Sequence, residues 1–199
     1  MSAVRKPKLS VAEYLAQEKR ATFKSEFFNG ETFAMAGASR PHNRVKENVI
    51  GELFGRLKGG PCQTFSSDQR VMVDRTGLYT YPDVVIVCGV VETDPADADT
   101  ITNPTCIIEV LSPSTERYDR GAKFRNYQQV ASLTEYILVA QDEAVVERFV
   151  RLESGEWSMA SFVGLDAVLA FTSVQVQVPL ADLYAGVELP EPPPPPDRK

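Results

Sequence analysis

Three short stretches of this chain, Val84 to Cys88, Cys106 to Leu111 and Tyr136 to Ala140, are apolar at nearly every position, and strands of that kind have to be covered on both faces. Between the second and third, Tyr118, Ala122, Tyr127, Val130 and Ala131 recur at helical spacing within Thr115 to Ala131. Strand, helix, strand predicts an α/β core with a right-handed crossover. Further elements surround it. Ser10 and Glu13 form a capping box, with Leu9 and Tyr14 as its hydrophobic staple, for a helix from about Val11 to Lys19. Two β-prone runs flank Asn29-Gly30 and predict a hairpin. Pro41 opens a long helix whose apolar stripe runs Val45, Val49, Ile50, Leu53, Phe54 and Leu57, closed by Gly59-Gly60. Cys62 to Phe65 and Arg70 to Val73 are short strands, and Val145 to Leu152, Trp157 to Val163 and Val174 to Val178 are one-sided antiparallel additions.

The expected fold class is therefore α/β (α+β), a mixed central β-sheet flanked by helices with extra antiparallel strands. Residues 1–188 are expected to form one domain and 189–199, with six of the 14 prolines, a disordered proline-rich tail. No apolar run approaches the roughly 20 residues that cross a bilayer. The basic start lacks the apolar stretch of a secretory signal, so a cytoplasmic protein is expected. Cys62, Cys88 and Cys106 have no paired spacing, which predicts reduced thiols and neither a disulfide nor a zinc site. The net charge of −6 disfavours a polyanionic partner, but residues 1–60 carry 11 basic against 6 acidic side chains. Contact with an anionic partner would have to be localised.

Chemistry enters with Glu109. It stands inside Cys106-Ile107-Ile108-Glu109-Val110-Leu111, where an unpaired carboxylate would cost several kcal/mol, so something must compensate it. Asp83, after Pro82, opens the apolar run Val84 to Cys88. Two acids on neighbouring core strands are the one or two carboxylates with which a protein holds Mg²⁺ or Mn²⁺. Lys123 shares a helical stripe with Asp119, Tyr127 and Val130, so it is either half of a surface ion pair with Asp119 or a fixed cation for developing phosphoryl charge.

Glu26 before Asn29-Gly30-Glu31, then His42-Asn43-Arg44, Tyr81-Pro82-Asp83, Ile108 through Thr115, Asp119-Arg120-Gly121-Ala122-Lys123 and Glu135 through Val139 follow one another in order. In these residues, over roughly 9 to 187, the chain resembles the Uma-two family of restriction-endonuclease-like proteins, a branch of the PD-(D/E)XK nuclease superfamily. The resemblance implies a restriction-endonuclease-like core and Mg²⁺-dependent (or Mn²⁺-dependent) hydrolysis of DNA phosphodiester bonds. It implies Asp83 as the Asp of the PD motif and Glu109 as the first acid of the E-X-K element. The lysine slot two residues later is Leu111, and the cation is displaced onto the next helix as Lys123. Asp83, Glu109 and a backbone carbonyl at Val110 would hold the metal. Glu26 and His42 are further catalytic candidates, against a solvent-facing hairpin residue and a helix-start histidine. Arg117, Arg120 and Arg125 are candidates for substrate phosphates. A homodimer would suit two cuts in a duplex. The alternative is an inactive nuclease-fold module that binds nucleic acid or regulates. A serine or thiol hydrolase at Ser112 or Cys106 lacks a nucleophile elbow.

Overall fold

The computed structural model describes residues 8–190. Two six-stranded mixed sheets form the body. The first has the order β12-β11-β10-β9-β6-β3, the second β2-β1-β5-β4-β8-β7. At the centre of the first sheet lie β9 (Cys106–Leu111) and β10 (Glu135–Ala140), every residue buried. They pair in parallel, Glu109 opposite Leu138, joined by the helical crossover that the periodicity predicts. β6 (Val84–Cys88) pairs antiparallel with the other side of β9, Val84 opposite Ile108. One register step beyond that pair, Asp83 and Glu109 therefore stand side by side at the end of the two central strands. The edges are antiparallel: β3 (Cys62–Ser66) on β6, and β11 (Val145–Arg151) with β12 (Trp157–Val163) on β10. β13 (Val168–Phe171) and β14 (Val176–Pro179) form a separate hairpin. Their connecting turn is tied to β10 by Glu135, which accepts bonds from the amides and hydroxyls of Thr172 and Ser173. The short helix α5 (Leu180–Leu183) follows β14.

Helix α1 (Val11–Glu18) carries the capping box: Glu13 N–H donates to Ser10 Oγ and Ser10 N–H to Glu13 Oε2. The hairpin of β1 (Ser25–Phe28) and β2 (Glu31–Ala34) turns at Asn29 and Gly30, with φ of 52° and 84°, the left-handed pair that an Asn-Gly turn needs. Helix α2 (Arg40–Leu57), capped by Ser39, lays Val45, Val49 and Leu53 on one face of the first sheet. Phe54, expected on that stripe, is 59% exposed because its position falls at the stripe's edge.

The crossover helix departs from simple periodicity. It consists of α3 (Glu116–Tyr118), a π-helical turn (Asp119–Lys123) and α4 (Phe124–Tyr127), and it ends before Ala131. Such widened turns occur often at functional sites.

β4 (Arg70–Val73), β5 (Leu78–Thr80), β7 (Thr93–Asp94) and β8 (Asp97–Ile101) complete the second sheet. The acidic segment between Asp83 and Glu109 is thus built into the second sheet. Asp97 accepts from Thr100 (2.6 Å), pairs with Lys19 (3.0 Å) and is bridged by Arg70, whose guanidinium also reaches Tyr81. Burial opposes the charge of Asp97, but Thr100, Arg70 and Lys19 bring its carboxyl down to about 2. A carboxyl lowered by folding contributes stability above its unfolded value and loses it as pH falls through the folded one. Unfolding free energy is expected to fall between about pH 4 and pH 2. Urea titrations across that window should show a shallower fall in Asp97→Asn.

Cys62 and Cys88 are joined in a disulfide, which corrects the reading of three reduced thiols; Cys106 alone is free and buried. The pairing was hidden because 26 residues separate the two in sequence. Antiparallel register puts them directly opposite. The Cys88 N–H donates to Thr105 rather than across to Cys62, and a facing pair without a ladder bond brings side chains close. The proline-rich tail from residue 191 lies outside the described residues. No described helix is long and apolar enough to cross a membrane.

Candidate active site

The site lies where the first sheet, the second sheet and the crossover helix meet. Glu109 shares a face of β9 with Ile107 and Leu111, which pack against Tyr127, Val130 and Leu133 from the crossover. It is 3% exposed, and its compensation is complete on one oxygen. Lys123 Nζ lies 2.8 Å from Glu109 Oε1, and Tyr127 Oη donates to the same oxygen at 2.8 Å. Lys123 is itself 5% exposed and also faces Asp119 Oδ1 at 3.5 Å and Glu26 Oε1 at 3.4 Å. The Asp119–Lys123 pair is therefore interior, not a surface ion pair. The π-helical turn brings both of its end residues inward in one turn.

Glu26 arrives from the other sheet. On β1, Phe27 stacks on Tyr14 of α1, so the alternation of a strand sends Glu26 to the opposite face. There it receives the Thr80 hydroxyl of β5. Asp83 accepts the Val110 N–H on Oδ2 at 2.9 Å, and His42 Nε2 of α2 approaches the same oxygen at 3.2 Å. The Asp83 N–H reaches back to Glu109 Oε2 at 3.4 Å. Glu26, His42, Glu109 and Lys123, drawn from four elements, form one connected cluster with Asp83, the residue just before β6. Arg117 and Arg125 are exposed on the crossover helix. Arg120 is held by Glu116 (2.7 Å) and Glu147.

Sequence reasoning overlooked three members. The sequence offers Asp119 only as the surface partner in one of two readings of Lys123, gives Tyr127 as core, and singles out nothing at Thr80. Tyr127 was detectable, because it sits one turn after Lys123 and a buried tyrosine hydroxyl must find an acceptor.

The charges are unevenly matched: four carboxylates surround one ammonium and one imidazole. Burial drives the Glu109 carboxyl up to about 8; Lys123 pulls it down, while Asp119 and Asp83 push it further. Burial raises Asp119 as well. Burial works against the charge on Lys123, yet Glu109, Glu26 and Asp119 hold its ammonium well above the ordinary lysine range. Burial also opposes Asp83, but His42, the Val110 N–H and Lys123 keep its carboxyl below the usual range. Perturbed groups gathered in one place make this cluster the candidate site.

The profile of the Uma2 family, described as "Putative restriction endonuclease", matches residues 11–181. The chain belongs to the Uma2 family. It is 35% identical over 184 residues to the uncharacterized protein slr1290 of Synechocystis, covering 91% of this chain and 94% of that one. A second Synechocystis protein, the uncharacterized sll1609, is 33% identical over 168 residues, 84% of this chain and 95% of its own. Among solved structures the fold matches that of a "putative nuclease belonging to DUF820" from Anabaena variabilis, with a TM-score of 0.69 at 16% identity, over 86% of this chain and 95% of that one. The Uma2 chain thus has a nuclease-like α+β fold of mixed sheets flanked by helices.

The donor set can be tested against a divalent metal. Among the described residues no three His, Cys, Asp or Glu side chains are arranged as a protein-only metal cage. Mg²⁺ does not require one: it takes one or two carboxylates and fills its octahedron with waters and substrate oxygens. Glu109 Oε1 is engaged by Lys123 and Tyr127, leaving Oε2 only the long Asp83 N–H contact. Asp83 Oδ2 is engaged by Val110 and His42, and Oδ1 has no hydrogen-bond donor among the described residues. Each acid keeps one oxygen to offer, which fits.

Proposed function

We propose that this Uma2 protein is a Mg²⁺- or Mn²⁺-dependent endonuclease that hydrolyses DNA phosphodiester bonds in the cytoplasm. The observation that carries the reading is the side-by-side placement of Asp83 and Glu109 with the buried Lys123 ammonium against them. Asp83 and Glu109, with the Val110 carbonyl, would hold the ion. Once bound, it would supply an activated water and neutralise phosphoryl charge. Lys123 places a fixed positive charge where an anionic oxygen develops, and its cage of Glu26, Glu109 and Asp119 keeps it charged and aimed. Tyr127 fixes the orientation of Glu109. Arg117 and Arg125 can track phosphates along the crossover helix; Arg120, tied to Glu116 and Glu147, would have to leave both to join them. A homodimer would set two such centres across a duplex.

The test is incubation of the purified protein with supercoiled plasmid, single-stranded circular DNA and RNA, in Mg²⁺, Mn²⁺ or EDTA. Nicked plasmid in either metal and none in EDTA is expected. Intact plasmid under all conditions would favour the inactive-module alternative, and cleavage of RNA alone would displace DNA as substrate.

A further inference from the structure

We infer that His42 is a positioning residue, which selects the oxygen that Asp83 presents to a divalent cation. The inference rests on the metal-dependent reading above and adds a role that the donor set does not itself assign.

The Val110 N–H donates to Asp83 Oδ2 at 2.9 Å, and His42 Nε2 faces the same oxygen as an ion-pair contact at 3.2 Å. A carboxylate oxygen can only accept, so the shared proton sits on Nε2 of the imidazole. With Oδ2 doubly engaged the carboxylate cannot rotate freely, and Oδ1 is left as the presented atom. Asp83 is the member of the acid cluster best placed for this work, because its side chain is 15% exposed while those of Glu109 and Asp119 are 4% exposed.

His42 is rigidly mounted. It lies in the first turn of α2, its N–H is taken by Ser39 Oγ, and the helix is anchored by Val45, Val49 and Leu53 in the core of the first sheet. Its other nitrogen gives the more telling observation. Nδ1 is buried and has no hydrogen-bond partner among the described residues, in a residue that is 8% exposed. An unpaired buried polar atom is a cost, and here it falls on the nitrogen turned away from Asp83. Only the nitrogen facing Asp83 is in use. Groups that orient a metal-binding carboxylate from behind commonly change metal affinity by about 10- to 100-fold when removed.

The test is calorimetric titration of the full chain with Mg²⁺ and with Mn²⁺, in the wild type, His42→Ala, His42→Gln and His42→Asn. Glutamine carries an amide N–H at about the reach of Nε2, whereas asparagine stops short near Nδ1. His42→Ala and His42→Asn are expected to bind about 10- to 100-fold more weakly, with His42→Gln recovering most of the loss. Circular dichroism and urea unfolding establish that each variant is folded. Equal affinity in His42→Ala, or a His42→Gln as weak as His42→Ala, would overturn the assignment while leaving the metal site standing. If the wild type takes up no metal, or Asp83→Asn binds as well as wild type, the metal site falls and this role falls with it.

Discussion

Glu109→Gln is expected to abolish cleavage while leaving the fold intact. The substitution is isosteric, so Gln Oε1 can still accept from Tyr127 and Lys123, and Lys123 keeps Glu26 and Asp119. What disappears is the carboxylate that a bound cation would draw into its charged form beside Asp83. A ligand's share of metal-based charge stabilisation is several kcal/mol, and about 4 kcal/mol corresponds to about 10³-fold in rate. Stability should rise or hold, because a buried carboxyl pushed up to about 8 folds holding a proton that the unfolded chain gives up at neutral pH, a cost glutamine does not carry. Urea unfolding at neutral pH together with a cleavage time course would separate the two effects. A variant that cleaves normally would remove Glu109 from the chemistry.

Lys123→Met should also be severe, but in both respects. The apolar stem is retained and the ammonium lost, which costs about 10²- to 10³-fold in rate if the charge faces the developing anion. Unlike an exposed lysine, this one is 5% exposed amid three carboxylates. Leaving them unpaired is expected to destabilise the protein by about 3 kcal/mol at neutral pH. That deficit should shrink as pH falls, because Asp119, whose carboxyl burial already raises, takes up a proton and loses the charge left unpaired. Unfolding measured at pH 7 and pH 5 checks the trend; equal deficits at both would mean that the carboxyls find other partners. Lys123→Arg keeps the charge but not the space, so a larger stability loss than activity loss there would show the cage to be tight.

Much of this centre could be read from the chain because its parts violate local rules. A glutamate inside Cys106–Leu111 has no local reason to exist, and the burial of β9 on both faces makes the conflict real. The Asn29-Gly30 turn and the Ser10–Glu13 box were legible because their chemistry is local. What resisted was long-range or non-periodic. The parallel pairing of β4 with β8 involves only Arg70, Val71, Thr100 and Ile101, too short a match to carry a pattern. The π-helical turn cannot be seen in a 3.6-residue period, although that period does put Asp119 and Lys123 on one stripe, and both are buried. Tyr127 was read as core because it is core; its hydroxyl makes it part of the site as well. The disulfide depended on a register between β3 and β6 that cysteine spacing does not encode.

The central claim, that the Asp83–Glu109–Lys123 centre cuts phosphodiester bonds, is tested most directly by a relaxation time course on supercoiled plasmid. Wild type, Glu109→Gln and Lys123→Met, purified identically and each shown to be folded, are compared in Mg²⁺. Nicked and then linear product is expected with wild type, none with Glu109→Gln, and a rate lowered about 10²- to 10³-fold with Lys123→Met. Identical relaxation by all three proteins would contradict that claim.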